Sequence, residues 1–414
     1  KSKEVLDEEI DFMGASINVG ASAISGFSLS KYKEDVLGIL TDILYNPAFP
    51  MEELDRQKKQ NIAALAQSKD DPSSISRTVS GVLNYGINHT YGEIISEETI
   101  EKVSMDDLKN HYANFFKPNT AYLVIVGDIK KKEAQKLARK YFEKWEKGEV
   151  QKESFVSPSQ PTKSVVAIID RPSSVQSVIN ITYPVDNKPG SEDATKISVM
   201  NQILGGAGLA TRLNANLRED KGYTYGANSS LGSSRYSGTF NAGASVRNGV
   251  TDSSMVQFIY ELELIRNEPV AQEELDLAKN YLRGSFARSL ESRNTVASFA
   301  LNTQLNNLPE DYYSNYLKRL DAITVEDIQA TAQKYIRPDK ANIVVVGKAA
   351  EIAEKMKQFG EVKFYNEVGS PVADPTKEVV SDISLYDIIN KYIEAIGGRA
   401  TIDAVKTFEY SGKA

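Results

Sequence analysis

Tyr335-Ile336-Arg337-Pro338-Asp339-Lys340-Ala341-Asn342-Ile343-Val344-Val345-Val346-Gly347 has a near twin earlier in the chain, Phe116-Lys117-Pro118-Asn119-Thr120-Ala121-Tyr122-Leu123-Val124-Ile125-Val126-Gly127. Each runs from an aromatic residue through a proline turn into a continuous apolar stretch closed by glycine, which is the pattern of a buried strand. Pro118 and Pro338 are 220 residues apart. A second pair repeats at almost the same offset. Asp42-Ile43-Leu44-Tyr45-Asn46-Pro47, followed by Glu52-Glu53-Leu54, matches Arg266-Asn267-Glu268-Pro269, followed by Glu273-Glu274-Leu275, and here the prolines are 222 apart. Two motifs in register imply an internal duplication.

Each copy reads as α+β. In the first, helical spacing covers 29–44, 52–69 and 105–116, the last with Ser104 as N-cap, before a strand at 122–126. In the second, helices over 251–266, 273–290 and 325–335 precede a strand at 342–346. The second copy also opens with strands at 164–170 and 177–183 and a helix over 192–204. The first has no counterpart to these, so about 40 to 60 residues of strand, strand and helix are expected upstream of Lys1. The expected fold is two layered α/β units in tandem, each a sheet covered by helices. Residues 1–147 are the first unit, 148–163 a Ser/Pro/Gln-rich linker, and 164–372 the second unit. Residues 373–414 lack a repeat partner and read as a linker and the start of a further domain, with Ser384 capping a helix closed by Gly397-Gly398.

Composition excludes several classes. The 414 residues are 41% hydrophobic and 25% charged, ordinary for a globular chain. A net charge of −7 argues against nucleic-acid binding. No apolar run approaches a membrane span. There is no cysteine and there are only two histidines, His89 and His111, so thiolate metal sites are excluded.

Chemistry concentrates at Asn216-Leu217-Arg218-Glu219-Asp220-Lys221-Gly222-Tyr223-Thr224-Tyr225-Gly226. Arg218 and Tyr225 lie seven residues apart across a turn glycine, with a forked cation on one side and a hydroxyl donor on the other. A structural salt-bridge Arg and a core aromatic are the plainer reading.

A duplicated α+β unit with Leu-Arg-Glu-x-x-Gly-x-x-Tyr resembles the insulinase/pitrilysin superfamily of zinc peptidases, which includes the mitochondrial processing peptidases. Leu204-Gly205-Gly206, Thr211-Arg212-Leu213, Tyr91-Gly92, Asn46-Pro47 with Phe49, and the Lys117-to-Asp128 segment add to the resemblance over residues 1 to about 370. The resemblance implies that two units close around a peptide, that a His-x-x-Glu-His helix with a later Glu holds zinc, and that an opposing Arg and Tyr grip the substrate. Arg218 and Tyr225 occupy the gripping positions. The later zinc Glu belongs before Asp70-Asp71-Pro72, where this chain has Ala63-Ala64-Leu65-Ala66. Alanine cannot ligate zinc.

The expected function is therefore that of a non-catalytic, substrate-binding subunit. It carries no cofactor of its own, and zinc is expected in a His-x-x-Glu-His partner, as a hetero-oligomer or with a homodimer as alternative. The substrate is a peptide or unfolded protein. The rivals are a non-enzymatic peptide-binding scaffold and an active zinc enzyme with upstream histidines.

The candidate substrate-side residues are Gly205, Gly206, Tyr223, Asn241 and Gly243. Gly205 and Gly206 also read simply as a helix end opening a turn. Tyr223 is a rival to Tyr225, because strand alternation sets the two on one face. The stretch 231–246 reads either as an edge strand receiving a peptide or as an ordinary sheet member, with small residues at 241–245 leaving room. Tyr392-Ile393-Glu394-Ala395-Ile396-Gly397-Gly398 resembles the opening of a bacterial envelope lipoprotein-type domain, which points to a periplasmic or envelope location.

Overall fold

Apolar runs buried on both faces build the centre of the sheet. In a computed structural model that describes residues 3–150, 155–377 and 384–407, the chain forms two compact bodies, Lys1–Ala373 and Asp374–Ala414.

The first half of the larger body contains α1 (Lys3–Phe12), a ribbon of β1 (Ser16–Val19) with β2 (Ile24–Phe27), α2 (Lys33–Tyr45), α3 (Met51–Asp70), α4 (Pro72–Tyr85), α5 (Glu97–Lys102), α6 (Met105–Phe115) and α7 (Lys131–Phe142). Ser104 caps α6 in a reciprocal box with Asp107. The second half follows with β3 (Val165–Asp170), β4 (Gln176–Val185), α8 (Ala194–Leu204), a π-helical segment (Asn214–Asp220), β5 (Thr224–Leu231) and β6 (Gly238–Arg247). It continues through α9 (Thr251–Asn267), α10 (Gln272–Ser289), α11 (Arg293–Leu305), α12 (Tyr316–Asp321), α13 (Val325–Tyr335), β7 (Asn342–Gly347), α14 (Ala349–Met356), β8 (Glu361–Tyr365) and β9 (Pro371–Val372).

The seven strands β3 to β9 form one sheet in the order β5-β6-β4-β7-β3-β8-β9. β3 runs parallel to β7 and β8, and the other pairs are antiparallel. Val166, Ile168, Ile343 and Val345 point to the main core, where α8, α9 and α13 pack with Phe240 and Phe258. Ala167, Ile169, Val344 and Val346 point the other way and are covered by Ile75 and Val79 of α4. The 1–147 segment therefore does not stand apart from 164–372: one of its helices closes a face of the second unit's sheet.

The strand expected at 122–126 forms no ladder, and these residues are half-buried to exposed. Among the described residues no neighbouring strand is placed to pair with it, and β-propensity without a partner cannot hold a strand. The helix-covered sheet of the expected α+β fold is built by the second half, and the first half contributes helices and a two-stranded ribbon.

The smaller body has α15 (Leu385–Ala395) and α16 (Arg399–Asp403). Ser384 caps α15 together with Asp387. Residues 405–407 have no regular structure, and 151–154 of the linker lie outside the described residues. Among the described residues no helix is long and apolar enough to cross a membrane.

Candidate functional site: a polar groove beside the Arg-Tyr segment

Alternation along β6 sends Phe240, Ala242 and Val246 into the core and leaves Thr239, Asn241, Gly243, Ser245 and Arg247 on the opposite face. On β5, Ala227 points inward while Asn228 and Ser230 share that outer face. α4 covers β4 and β7 and stops short of β5 and β6. The uncovered floor and the flank of α4 make an open groove of about 1090 Å³.

Side-chain amides fix the wall to the floor. Asn84 donates to Thr182 Oγ1 (2.8 Å) and accepts from Asn342 Nδ2 (2.9 Å). Asn180 donates to Ser80 Oγ (3.0 Å) and to Asn241 Oδ1 (3.3 Å). The Asn241 Nδ2 makes no hydrogen bond among the described residues. The Tyr85 hydroxyl reaches Thr239 Oγ1 and the Gly238 carbonyl across the groove's end.

The segment that carries Arg218 is anchored on several sides. Leu213 and Leu217 are fully buried. Arg212 grips Glu274 of α10 with two hydrogen bonds (2.7 and 2.8 Å), and this guanidinium holds the Glu274 carboxyl below the usual carboxylate range. Asn216 donates to Glu261 (2.7 Å) and Gln257 (3.1 Å) of α9. Burial pushes the Glu261 carboxyl up. Gly222, at φ +60°, ends the π-helical segment: its N–H reaches the Arg218 carbonyl and the Tyr223 N–H reaches that of Leu217. A residue with a side chain is strained in that conformation.

The structure separates the residues singled out in the sequence. Tyr223, Tyr225, Asn241 and Gly243 line the groove. Tyr225 is 96% exposed, whereas Tyr223 is half-buried. Simple alternation fails because β5 begins at Thr224 and its register shifts between Thr224 and Ala227. Arg218 is not among the lining residues. Its Nη1 is buried, lies 3.1 Å from the Glu219 carboxylate and makes no well-formed hydrogen bond among the described residues.

Gly205 and Gly206 are not on the groove. They follow α8, and Gly205 has a specific structural task. Its carbonyl accepts the Ser229 N–H of β5 (2.7 Å), and a Cβ there would sit 2.6 Å from that nitrogen.

That contact also decides the question of strand addition. β6 is paired on both sides, by β5 and β4, so the 231–246 stretch contains an interior strand and not an edge. The edge strand beside β6 is β5, and three of its outward backbone groups, at Ala227 and Ser229, are already engaged. Asn214 Oδ1 accepts the Ala227 N–H (3.0 Å), Gly205 accepts that of Ser229, and Asn201 Nδ2 donates to the Ser229 carbonyl (3.0 Å). An edge occupied in this way does not template another strand. A ligand in the groove has to be held by side chains of its floor and wall.

The α4 wall is the part that the sequence analysis missed. Ser73, Ser76, Ser80 and Asn84 form a small polar stripe at helical spacing, opposite Ile75 and Val79. That spacing was a readable signal.

The residues present do not fit zinc. His89 is buried, stacked on Tyr85, and its Nδ1 accepts the Tyr91 N–H (3.0 Å). His111 lies against Phe115 on α6. Ala63 and Ala64 are exposed on α3. Among the described residues no group of three or more His, Cys, Asp or Glu could hold a metal.

Comparison with known proteins agrees with this geometry. The family profile described as the peptidase M16 inactive domain matches residues 102–282. The chain is similar to a non-peptidase homologue, YmxG, of Helicobacter pylori, at 26% identity over 72% of this chain and 69% of that protein. It is also similar to an uncharacterized zinc protease, YmxG, of Bacillus subtilis, at 23% identity over 82% and 83%. Among solved structures, the peptidase M16 inactive domain from Pseudomonas fluorescens superposes with a TM-score of 0.77 at 25% identity, covering 84% of each chain. The duplicated order of elements, the Arg-Tyr segment and these matches together agree with the resemblance to the insulinase/pitrilysin superfamily, and within it with similarity to the M16 peptidase inactive domain.

Proposed function

We propose that this chain is the substrate-binding subunit of a composite peptidase, holding an extended peptide in the groove while a separate His-x-x-Glu-His homologue supplies the zinc and the general base. The observation that carries this reading is Tyr225. A large aromatic residue left 96% exposed at the rim of a polar groove has no packing role to explain it. Its hydroxyl is free to donate to a carbonyl oxygen as negative charge develops there. Arg218 lies seven residues away, outside the groove lining, with its guanidinium 3.1 Å from the Glu219 carboxylate, and it reaches a substrate only by leaving that contact. An envelope location belongs to the same reading and rests on the phrase at 392–398; cell fractionation checks it.

The test mixes this protein with a zinc-competent homologue and follows cleavage of a quenched peptide. The mixture is expected to cleave where this chain alone does not. Tyr225→Phe and Arg218→Ala in this chain should each reduce the rate by about 10²–10³, the usual loss for a donor acting on a developing oxyanion. Full activity with both substitutions would remove the composite site. Binding of peptide without cleavage in any mixture would instead establish a scaffold.

A further inference from the structure

Acidic residues outnumber basic ones in this chain by 56 to 49, yet the groove reverses the sign. Its lining contains two arginines, Arg77 and Arg247, and no Asp or Glu. The two stand on different walls, Arg77 on the exposed flank of α4 and Arg247 at the end of β6. Neither makes an ion pair or a side-chain hydrogen bond among the described residues. The acidic neighbours of α4 are engaged elsewhere. The Asp71 carboxylate, which feels Arg77, accepts the Ser74 N–H at the helix cap (2.7 Å), and Asp70 pairs with Arg171 (3.1 Å). The rest of the floor is neutral and hydrogen-bonding, including Asn228, Ser230, Asn241 and Ser245.

We infer that the groove selects extended peptide segments with acidic side chains, Arg77 and Arg247 each receiving a carboxylate. Two cations on separate elements suit two carboxylates spaced along a chain, whereas a terminal carboxylate would engage only one of them. Because the β5 edge is closed, backbone pairing cannot dominate the affinity, and side-chain charge gains weight in the selection. Basic peptides are disfavoured by like charge and find no acidic partner on the lining. The inference rests on the reading of the groove as a peptide site.

The experiment measures fluorescence anisotropy with three labelled decapeptides, acetylated and amidated so that no terminal charge contributes. One carries two Asp, its twins carry Asn or Lys at the same positions, and each is titrated with wild type, R77Q, R247Q and the double variant. Two partly exposed ion pairs should make the Asp peptide bind about 10-fold more tightly than the Asn twin at low salt, with the difference shrinking as salt rises. Each single variant should remove part of the Asp-over-Asn ratio and the double variant all of it. Thermal melts confirm that the variants fold. Equal affinity of wild type for the Asp and Asn peptides would overturn the charge selection and leave the groove as a peptide site. A ratio that survives in R77Q/R247Q would overturn the assignment to these arginines. Failure of all three peptides to bind would remove the peptide site itself, and the inference with it.

Discussion

At the residue scale, two positions show how packing gives a side chain its meaning. Gly205 belongs to a motif shared with the superfamily, and its service is to the sheet edge, since only a residue without Cβ brings its carbonyl to Ser229. Glu261 is buried, with its carboxyl pushed up, beneath the segment that carries Arg218. A carboxyl whose folded-state pKa exceeds its unfolded value favours the folded state most when protonated. That contribution is complete below the unfolded pKa and is lost as pH rises through the folded pKa. Glu261→Gln keeps an acceptor for Asn216 and removes the buried charge. It should raise the Tm at pH 7 by about 1–3 °C, and the gain should vanish below about pH 4. A differential scan at the two pH values checks this; a gain that persists unchanged in acid would show that burial of charge is not its origin.

At the scale of elements, α4 joins the two halves. It begins after Asp71, buries Ile75 and Val79 on one side and presents serines and Asn84 on the other. Each fully buried apolar side chain of this size contributes about 1.5–3 kcal/mol. The amides add geometry: Asn84 bridges Thr182 of β4 and Asn342 of β7 and so sets the position of the wall over the floor. Asn84→Ala leaves Thr182, which is buried, and Asn342, which is half-buried, without their bond. It should lower stability by about 1–3 kcal/mol in urea unfolding and weaken peptide binding through displacement of the wall. Unchanged stability would mean that apolar contacts alone hold α4 in place.

For the whole molecule, the consequence is that 164–372 is not a self-sufficient unit. Without α4, Ala167, Ile169, Val344 and Val346 would face water in the middle of the sheet. An exposed apolar surface of this kind promotes association. A fragment spanning 164–373 should aggregate or bind a hydrophobic dye, while one spanning 71–373 should stay monomeric and melt cooperatively, as judged by gel filtration and circular dichroism. A monomeric, cooperatively folded 164–373 fragment would return α4 to the first half alone.

Local pattern was enough to read much of this protein. The helices α6, α9, α10 and α13 and the strands β3, β4 and β7 carry their periodicity within their own lengths, and α6 and α13 their caps as well. The duplication and the Arg-Tyr segment are likewise linear facts. The polar stripe on α4 was equally legible, at Ser73, Ser76, Ser80 and Asn84. Tertiary structure alone decided the rest. A run such as 122–126 is a strand only if a neighbour pairs with it, and here none among the described residues does. Whether 231–246 holds an edge or an interior strand depends on what lies beside β6, which no window of sequence contains. The engagement of β5 by Asn201, Gly205 and Asn214, and the presence of Arg77 and Arg247 on one groove, join residues from separate elements. Periodicity records which face of an element is apolar; the partner that covers that face is fixed only when the whole chain packs.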